Sequence, residues 1–145
     1  MGGGLSEGLV EYQRPLGHAF VDAGADIVVG AHPHRPLGIE RHAGKAILYS
    51  PGTLVDLMDR SVVPEHLRPL LAMVSPDSFV ATFDIAPDGG YSMRLTPVTV
   101  DGDGVPMLAQ GAVLDRIAER VTRLSAELGT ELRELTANFG AVAVR

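Results

Sequence analysis

Asp22-Ala23-Gly24-Ala25-Asp26-Ile27-Val28-Val29-Gly30-Ala31-His32-Pro33-His34 decides how this chain is read. Upstream, from Glu11 to Ala23, the apolar residues Leu16, Ala19, Phe20 and Ala23 recur at helical spacing. They predict a helix with those positions as its apolar face. Pro15 is tolerable only near the start of that helix, and Gly24 stands where a C-cap glycine would end it. The β-branched run Asp26–Gly30 then predicts a short buried strand. Helix followed by strand predicts an α/β layer.

The strand runs into Gly30-Ala31-His32-Pro33-His34-Arg35-Pro36, a loop by its glycine and two prolines. Loops at the C-terminal ends of strands commonly hold the chemistry of open α/β sheets. In extended backbone, residues two apart point to the same side. His32 and His34 can then approach one metal, or one each of two adjacent metals. Neutral imidazole is a common ligand for zinc, manganese or iron. An isolated His-x-His is a weak signal, with surface histidines as the plain alternative.

Outward from the loop, Leu37–Arg41 and Ala46–Ser50 read as two strands joined by His42-Ala43-Gly44-Lys45. Ser50-Pro51-Gly52-Thr53 is a second punctuated loop, and Leu54–Met58 a short helical turn. Arg60–Asp77 has three prolines and no period, which predicts a loop with at most a short helix. Ser78–Ala86 alternates, with Phe79, Ala81, Phe83 and Ile85 on one face. Asp88-Gly89-Gly90 is a hairpin turn, Tyr91–Val100 the returning strand and Asp101–Gly104 a further turn. Leu114, Ile117, Val121, Leu124 and Leu128 then form the clearest helical stripe, over Gly111–Leu128, and predict packing against the sheet. Ala141–Val144 reads as a closing strand.

Composition bounds the function. The 145 residues suit one domain with a modest core. With 12 basic against 18 acidic residues the net charge is −6, which argues against a nucleic-acid partner. There is no cysteine, so any metal must sit on His, Asp, Glu or Asn. Met1–Glu7 has neither the basic nor the apolar region of a signal peptide. No apolar run approaches the roughly 20 residues of a membrane span.

A resemblance adds to these residues. The run Asp22–His34, then Gly38-Ile39-Glu40, Gly44-Lys45 and Leu48-Tyr49-Ser50-Pro51-Gly52, resembles the CapA family of poly-γ-glutamate capsule biosynthesis proteins. Arg94–Val98 and Gly129-Thr130 are similar to the family's closing strands and helix, so the likeness runs from about Glu11 to Thr130. The resemblance implies the C-terminal half of a calcineurin-like metallophosphatase, a four-layer α/β/β/α sandwich, with residues 1–145 forming part of that single domain. It places His32 and His34 on the Gly-His-x-His metal motif. It implies a divalent ion (Mn, Fe or Zn, two in the complete fold) and a metal-dependent phosphohydrolase in bacterial capsule synthesis or export. Its ligands would be an anionic small molecule or a polyglutamate-related substrate, and its partners other capsule-synthesis proteins or a second copy. The setting would be cytoplasmic, or membrane-associated through a missing N-terminal segment.

The departures are specific. A two-metal site needs about six protein ligands. The family's Asp-bearing and Asn-His segments have no counterpart here. Gly2-Gly3-Gly4 stands where the family tends to carry His-Trp-Gly, and Glu7 could match the acidic residue that follows. The family's Ser-Leu-Gly-Asn becomes Ser50-Pro51-Gly52-Thr53, with Thr53 a weak site contributor. Glu40 is a candidate acceptor orienting His32 or His34, with a surface carboxylate as the equal alternative. His18 reads as packing or surface, His42 and His66 as exposed loop residues, and Asp56 and Asp59 as surface. Arg35 and Lys45 could meet an anion, but lone loop cations are usually solvated. Three readings therefore stand: a metal-dependent hydrolase, a non-catalytic accessory or partner-binding module with a dead metal site, and a truncated gene fragment.

Overall fold

The computed structural model describes residues 8–55, 61–71, 74–132 and 140–142. Helix α1 (Gln13–Asp22) is followed by strands β1 (Ile27–Val29), β2 (Ile39–His42) and β3 (Lys45–Leu48). A single 3-10 turn (Glu65–Leu67) and the short helix α2 (Arg68–Leu71) precede β4 (Asp77–Ile85) and β5 (Tyr91–Val100). Then come β6 (Pro106–Leu108), helix α3 (Gly111–Glu127) and β7 (Gly140–Val142). The fold is mixed α/β, with two small sheets.

The first sheet has the order β1-β3-β2, with β1 parallel and β2 antiparallel to β3. The β2–β3 hairpin turns on Ala43 and Gly44, both at positive φ (47° and 81°). That pair of left-handed residues is the two-residue turn whose twist suits a hairpin. In the second sheet β4 pairs with β5 along its whole length, from Asp77↔Thr99 to Ile85↔Tyr91. The other edge of β5 takes β6 and β7 in succession. Strand β6, which carries no alternation, is not evident in the sequence. The sheets connect where Gly52 bridges to Ser78 and Phe79 donates its N–H to the Pro51 carbonyl.

The stripe on α3 packs as its spacing predicts. Leu114, Ile117, Val121 and Leu124 are all buried. Leu114, Ile117 and Val121 meet Ile39, Leu48, Phe79, Met93 and Leu95 in one core that draws on both sheets, while Leu124 packs with Val21, Leu37, Ile47 and Tyr49 in a second. The C-terminal turns of α3 also seal the outer edge of β2. Ser125 Oγ accepts from the Ile39 N–H at 2.9 Å and donates to the Val121 carbonyl at 2.7 Å. Thr130 Oγ1 accepts from the Arg41 N–H at 2.9 Å. An edge strand's unpaired donors are thereby satisfied by side chains. Gly38 makes the approach possible, since a Cβ there would lie 2.6 Å from the Leu124 carbonyl oxygen.

Four expectations are corrected. The apolar face foreseen on α1 points outward: Leu16 is 48% and Phe20 51% exposed, while Gly17 and Val21 are buried. The reason is Gly17, whose missing side chain lets the helix sit against Ile47 and the Tyr49 ring. Counting large apolar residues cannot register a contact made by a glycine. The strand β1 is an edge rather than a buried strand, and Val29 is 60% exposed. Burial along β4 also fades, from Phe79 in the core to an exposed Ile85. The helical turn expected over Leu54–Met58 is not formed at Leu54 and Val55, and its remainder lies outside the described residues.

Ser125→Ala tests the seal between α3 and β2. It leaves the buried Ile39 N–H without its acceptor, which costs about 1–3 kcal/mol. Urea unfolding should show the midpoint falling with an unchanged denaturant slope. An unchanged midpoint would mean that β2 is not held this way.

Candidate metal-ligating loop

The loop that carries the two histidines is built at the C-terminal end of β1. Gly30 donates its N–H to the Leu48 carbonyl at 2.7 Å. A Cβ on Gly30 would run into the Tyr49 carbonyl oxygen, so only glycine lets the chain lie this close to the end of β3. Pro33 and Pro36 are buried, and the Leu37 N–H donates to the Ser50 carbonyl at 2.9 Å. The loop is therefore anchored on both sides while His32 and His34 stand exposed between the anchors.

The histidines come together, though not by extended backbone. His32 has φ 96° and His34 φ 52°. Positive φ is uncommon outside glycine and costs conformational energy that the surrounding structure must offset. The rings nevertheless lie 6.0 Å apart between centroids, tilted by 52°. That separation is compatible with two imidazoles flanking one ion at nitrogen–metal distances of about 2.0–2.1 Å, or serving adjacent ions. His34 Nδ1 lies 3.1 Å from Thr53 Oγ1, which fixes the ring and leaves Nε2 as the nitrogen for a ligand. The hydroxyl of Thr53 thus reaches the imidazole directly. The His34 carbonyl accepts from the Ser75 N–H at 2.9 Å.

Glu40 belongs to a different cluster. The residue is 3% exposed and both carboxylate oxygens are engaged. Arg14 donates to Oε1 through Nε and Nη2 at 3.0 and 2.7 Å, and His18 Nε2 lies 3.0 Å from the same oxygen. The Tyr49 hydroxyl donates to Oε2 at 2.6 Å. Burial alone would raise the Glu40 pKa, but the bonds from Arg14, Tyr49 and His18 outweigh it and hold the carboxyl below its ordinary range. Burial and the Glu40 carboxylate together push the Tyr49 hydroxyl strongly up. His18 stacks on His42 at 3.8 Å, and His42 Nε2 meets Asp22 Oδ1 at 3.1 Å. The sequence held one clue to this cluster: Arg14 and His18 are one turn apart and share a helix face.

The remaining candidates are dispersed. Lys45 pairs with Asp26, His66 lies exposed in the 3-10 turn, and Arg35 follows the histidines in the loop. Glu7, Asp56 and Asp59 lie outside the described residues. Among the described residues no group of three or more His, Asp or Glu side chains is arranged to hold an ion. No helix among them is long and apolar enough to cross a membrane.

The element set thus defined is an α/β segment that presents two histidines from a strand-end loop. Residues 2–57, which contain α1, the first sheet and the loop, match the family described as Bacterial capsule synthesis protein PGA_cap. The chain is 44% identical over 62 residues to the PGA biosynthesis protein CapA of Bacillus subtilis (strain 168), covering 39% of this chain and 16% of that protein. It is 36% identical over 93 residues to the Capsule biosynthesis protein CapA of Bacillus anthracis, covering 60% of this chain and 21% of that protein. The CapA-type resemblance is thereby established over this part of the chain. The aligned stretches span at most about a fifth of the curated relatives they match.

The Glu40 cluster gives a pH prediction. A folded-state pKa below the unfolded value near 4.3 means that the unfolded chain binds the proton more tightly. The cluster's contribution is then full above that value and is lost as pH falls through the folded one. Glu40→Gln should cost about 1.5–3 kcal/mol at pH 7, the scale of hydrogen bonds to a charged group. The gap between parent and variant should close on acidification below about pH 4. Thermal melts at stepped pH check this, and a gap that widens in acid would contradict it.

Proposed function

We propose that this chain is part of a CapA-type capsule-synthesis protein, within a single calcineurin-like metallophosphatase domain of the four-layer α/β/β/α kind. His32 and His34 are its metal-ligating pair. One observation carries the reading. In the segment that matches the capsule-synthesis family, two histidines in strained backbone bring their rings to 6.0 Å at the end of a strand. Strain of this kind tends to be kept where function requires a set geometry.

The donors present suit a divalent ion such as Mn, Fe or Zn. Both are imidazoles, the preferred neutral ligands of such metals, and both are open to solvent. Thr53 orients His34 through Nδ1, as a hydrogen bond to the second ring nitrogen commonly does in metal sites. The further ligands would come from outside the described residues, in the rest of a CapA-type protein or a second copy. When bound, a divalent ion would polarise a phosphoryl oxygen and acidify a coordinated water. The role of this chain's own residues is to hold the ion's histidine side and to set the His34 ring. Action on an anionic substrate in polyglutamate capsule synthesis or export follows as the whole protein's activity, at the membrane or in the cytoplasm.

Elemental analysis of the purified chain beside His32→Ala/His34→Ala tests this. The parent should carry about one equivalent of divalent metal, removable by a chelator, and the variant none. Metal in neither protein would sink the metal-site reading and leave a partner-binding module or a fragment. Metal retained by the variant would place the ion elsewhere.

A further inference from the structure

Strand β4 is the outermost strand of its sheet, with β5 on one side of it. In an antiparallel pair, alternate residues bond sideways to the neighbour and the others turn their backbone groups away. The even-numbered residues of β4 face β5. The register shows this at both ends, where the Pro76 carbonyl accepts the Val100 N–H and the Ala86 N–H donates to the Gly90 carbonyl. The odd-numbered residues therefore point their N–H and C=O groups to the open edge. Phe79 does so first, and its N–H is taken by the Pro51 carbonyl, with Gly52 bridged to Ser78 beside it. Beyond that point, the N–H groups of Ala81, Phe83 and Ile85 have no backbone acceptor among the described residues.

Soluble proteins usually blunt such an edge with lysine, proline, a bulge or a very short strand. The opposite edge of this sheet follows that rule, since β6 is three residues long and opens on Pro106. The open side of β4 does not. From Ser78 to Ile85 there is no lysine and no proline, and the pairing with β5 runs through without a bulge. The one charged residue of that stretch, Asp84, is drawn to Arg94 of β5 at 3.1 Å. Val80 is 38% and Ile85 67% exposed. An edge of this kind is a template for another strand.

The edge is complementary to itself. In an antiparallel pair of β4 strands centred on Phe83, Phe83 meets Phe83 of the second copy, and Ala81 meets Ile85 in both directions. All three open residues then exchange N–H···O bonds, about six in total. A centre one residue earlier would set Ile85 against Phe79, whose N–H is already engaged. A centre one residue later would set Ala81 against Pro87, which has no N–H. In the Phe83-centred register the small Ala81 faces the large Ile85, and the two Phe83 rings are neighbours. Asp84 lies opposite Thr82 rather than a second carboxylate. Aromatic cross-strand pairs stabilise a sheet, and like charges directly opposite would destabilise it.

We propose that two copies of this chain associate through β4, antiparallel about a two-fold axis at Phe83, which joins their second sheets into one. The association does not rest on the metal-ligating role of His32 and His34.

Sedimentation equilibrium of the full chain tests it, with disulfide trapping to read the register. The parent should dimerise, and Ala81→Pro and Ile85→Lys should each weaken dimerisation at least about tenfold. Proline at 81 removes an N–H from the open side only, so the β4–β5 ladder stays intact. Ile85→Lys changes an exposed side chain and leaves the backbone as it is, so it should keep the parent's circular dichroism. The chain has no cysteine, which makes trapping specific. Thr82 and Asp84 of the two copies would form a non-hydrogen-bonded pair with Cα atoms about 4.5 Å apart, within disulfide reach. Thr82→Cys/Asp84→Cys should therefore give a covalent dimer on oxidation, while each single variant alone stays largely uncrosslinked. A parent that remains monomeric up to near-millimolar concentration, a dimer indifferent to both edge variants, or a double cysteine variant that does not cross-link would each overturn the proposal.

Discussion

Ile117 and Val121, each 1% exposed, share one core with Ile39 and Leu48 of the first sheet and Met93 and Leu95 of the second. This contact of α3 with both sheets is the constraint from which the other placements follow. Neither sheet is wide enough to bury a face unaided. The helix supplies the apolar surface that each lacks, and Ser125 and Thr130 satisfy the outer edge of β2 at the same time. With β2 fixed, β3 is fixed through the hairpin. With β3 fixed, the close approach of Gly30 to Tyr49 sets where the histidine loop leaves the sheet.

The opposite side of the molecule is organised by charge rather than apolar area. Glu40 lies buried beneath α1, where a carboxylate is costly unless its oxygens are bonded. Arg14, His18 and Tyr49 meet that need. They do so because Gly17 brings the helix close enough for its polar face to reach the strand. The same approach leaves Tyr12, Leu16 and Phe20 outward, a row of large apolar side chains at one-turn intervals. The ordinary expectation for an amphipathic helix is thus inverted here by one small residue.

Much of this was legible in the sequence where periodicity or turn chemistry dominates. The α3 stripe, the β4–β5 hairpin and the turn at Gly44 all follow from spacing and from glycine's conformational freedom. Strand β6 was not legible, since its three residues are exposed and pair only along an edge. The His32–His34 pairing was legible as a pair, but its backbone was not: positive φ at two non-glycine residues has no local sequence signature. Thr53 was foreseen as a weak contributor, and its contact with His34 depends on how two loops distant in sequence are brought together by the Pro36–Pro51 bridge. Of the Glu40 cluster only the one-turn spacing of Arg14 and His18 is legible in the sequence, and the rest depends on how α1 packs. The open side of β4 is likewise set by the order of strands in its sheet, which spacing alone does not give.

The central claim is that the strained loop after β1 presents His32 and His34 to a common divalent ion. Anomalous diffraction from crystals of the chain grown with manganese or zinc addresses it most directly. The account predicts a peak between the two imidazole rings, with His34 bound through Nε2 and Thr53 still on Nδ1. Ordered crystals with no peak at these rings, or with a peak only at unrelated surface residues, would contradict it.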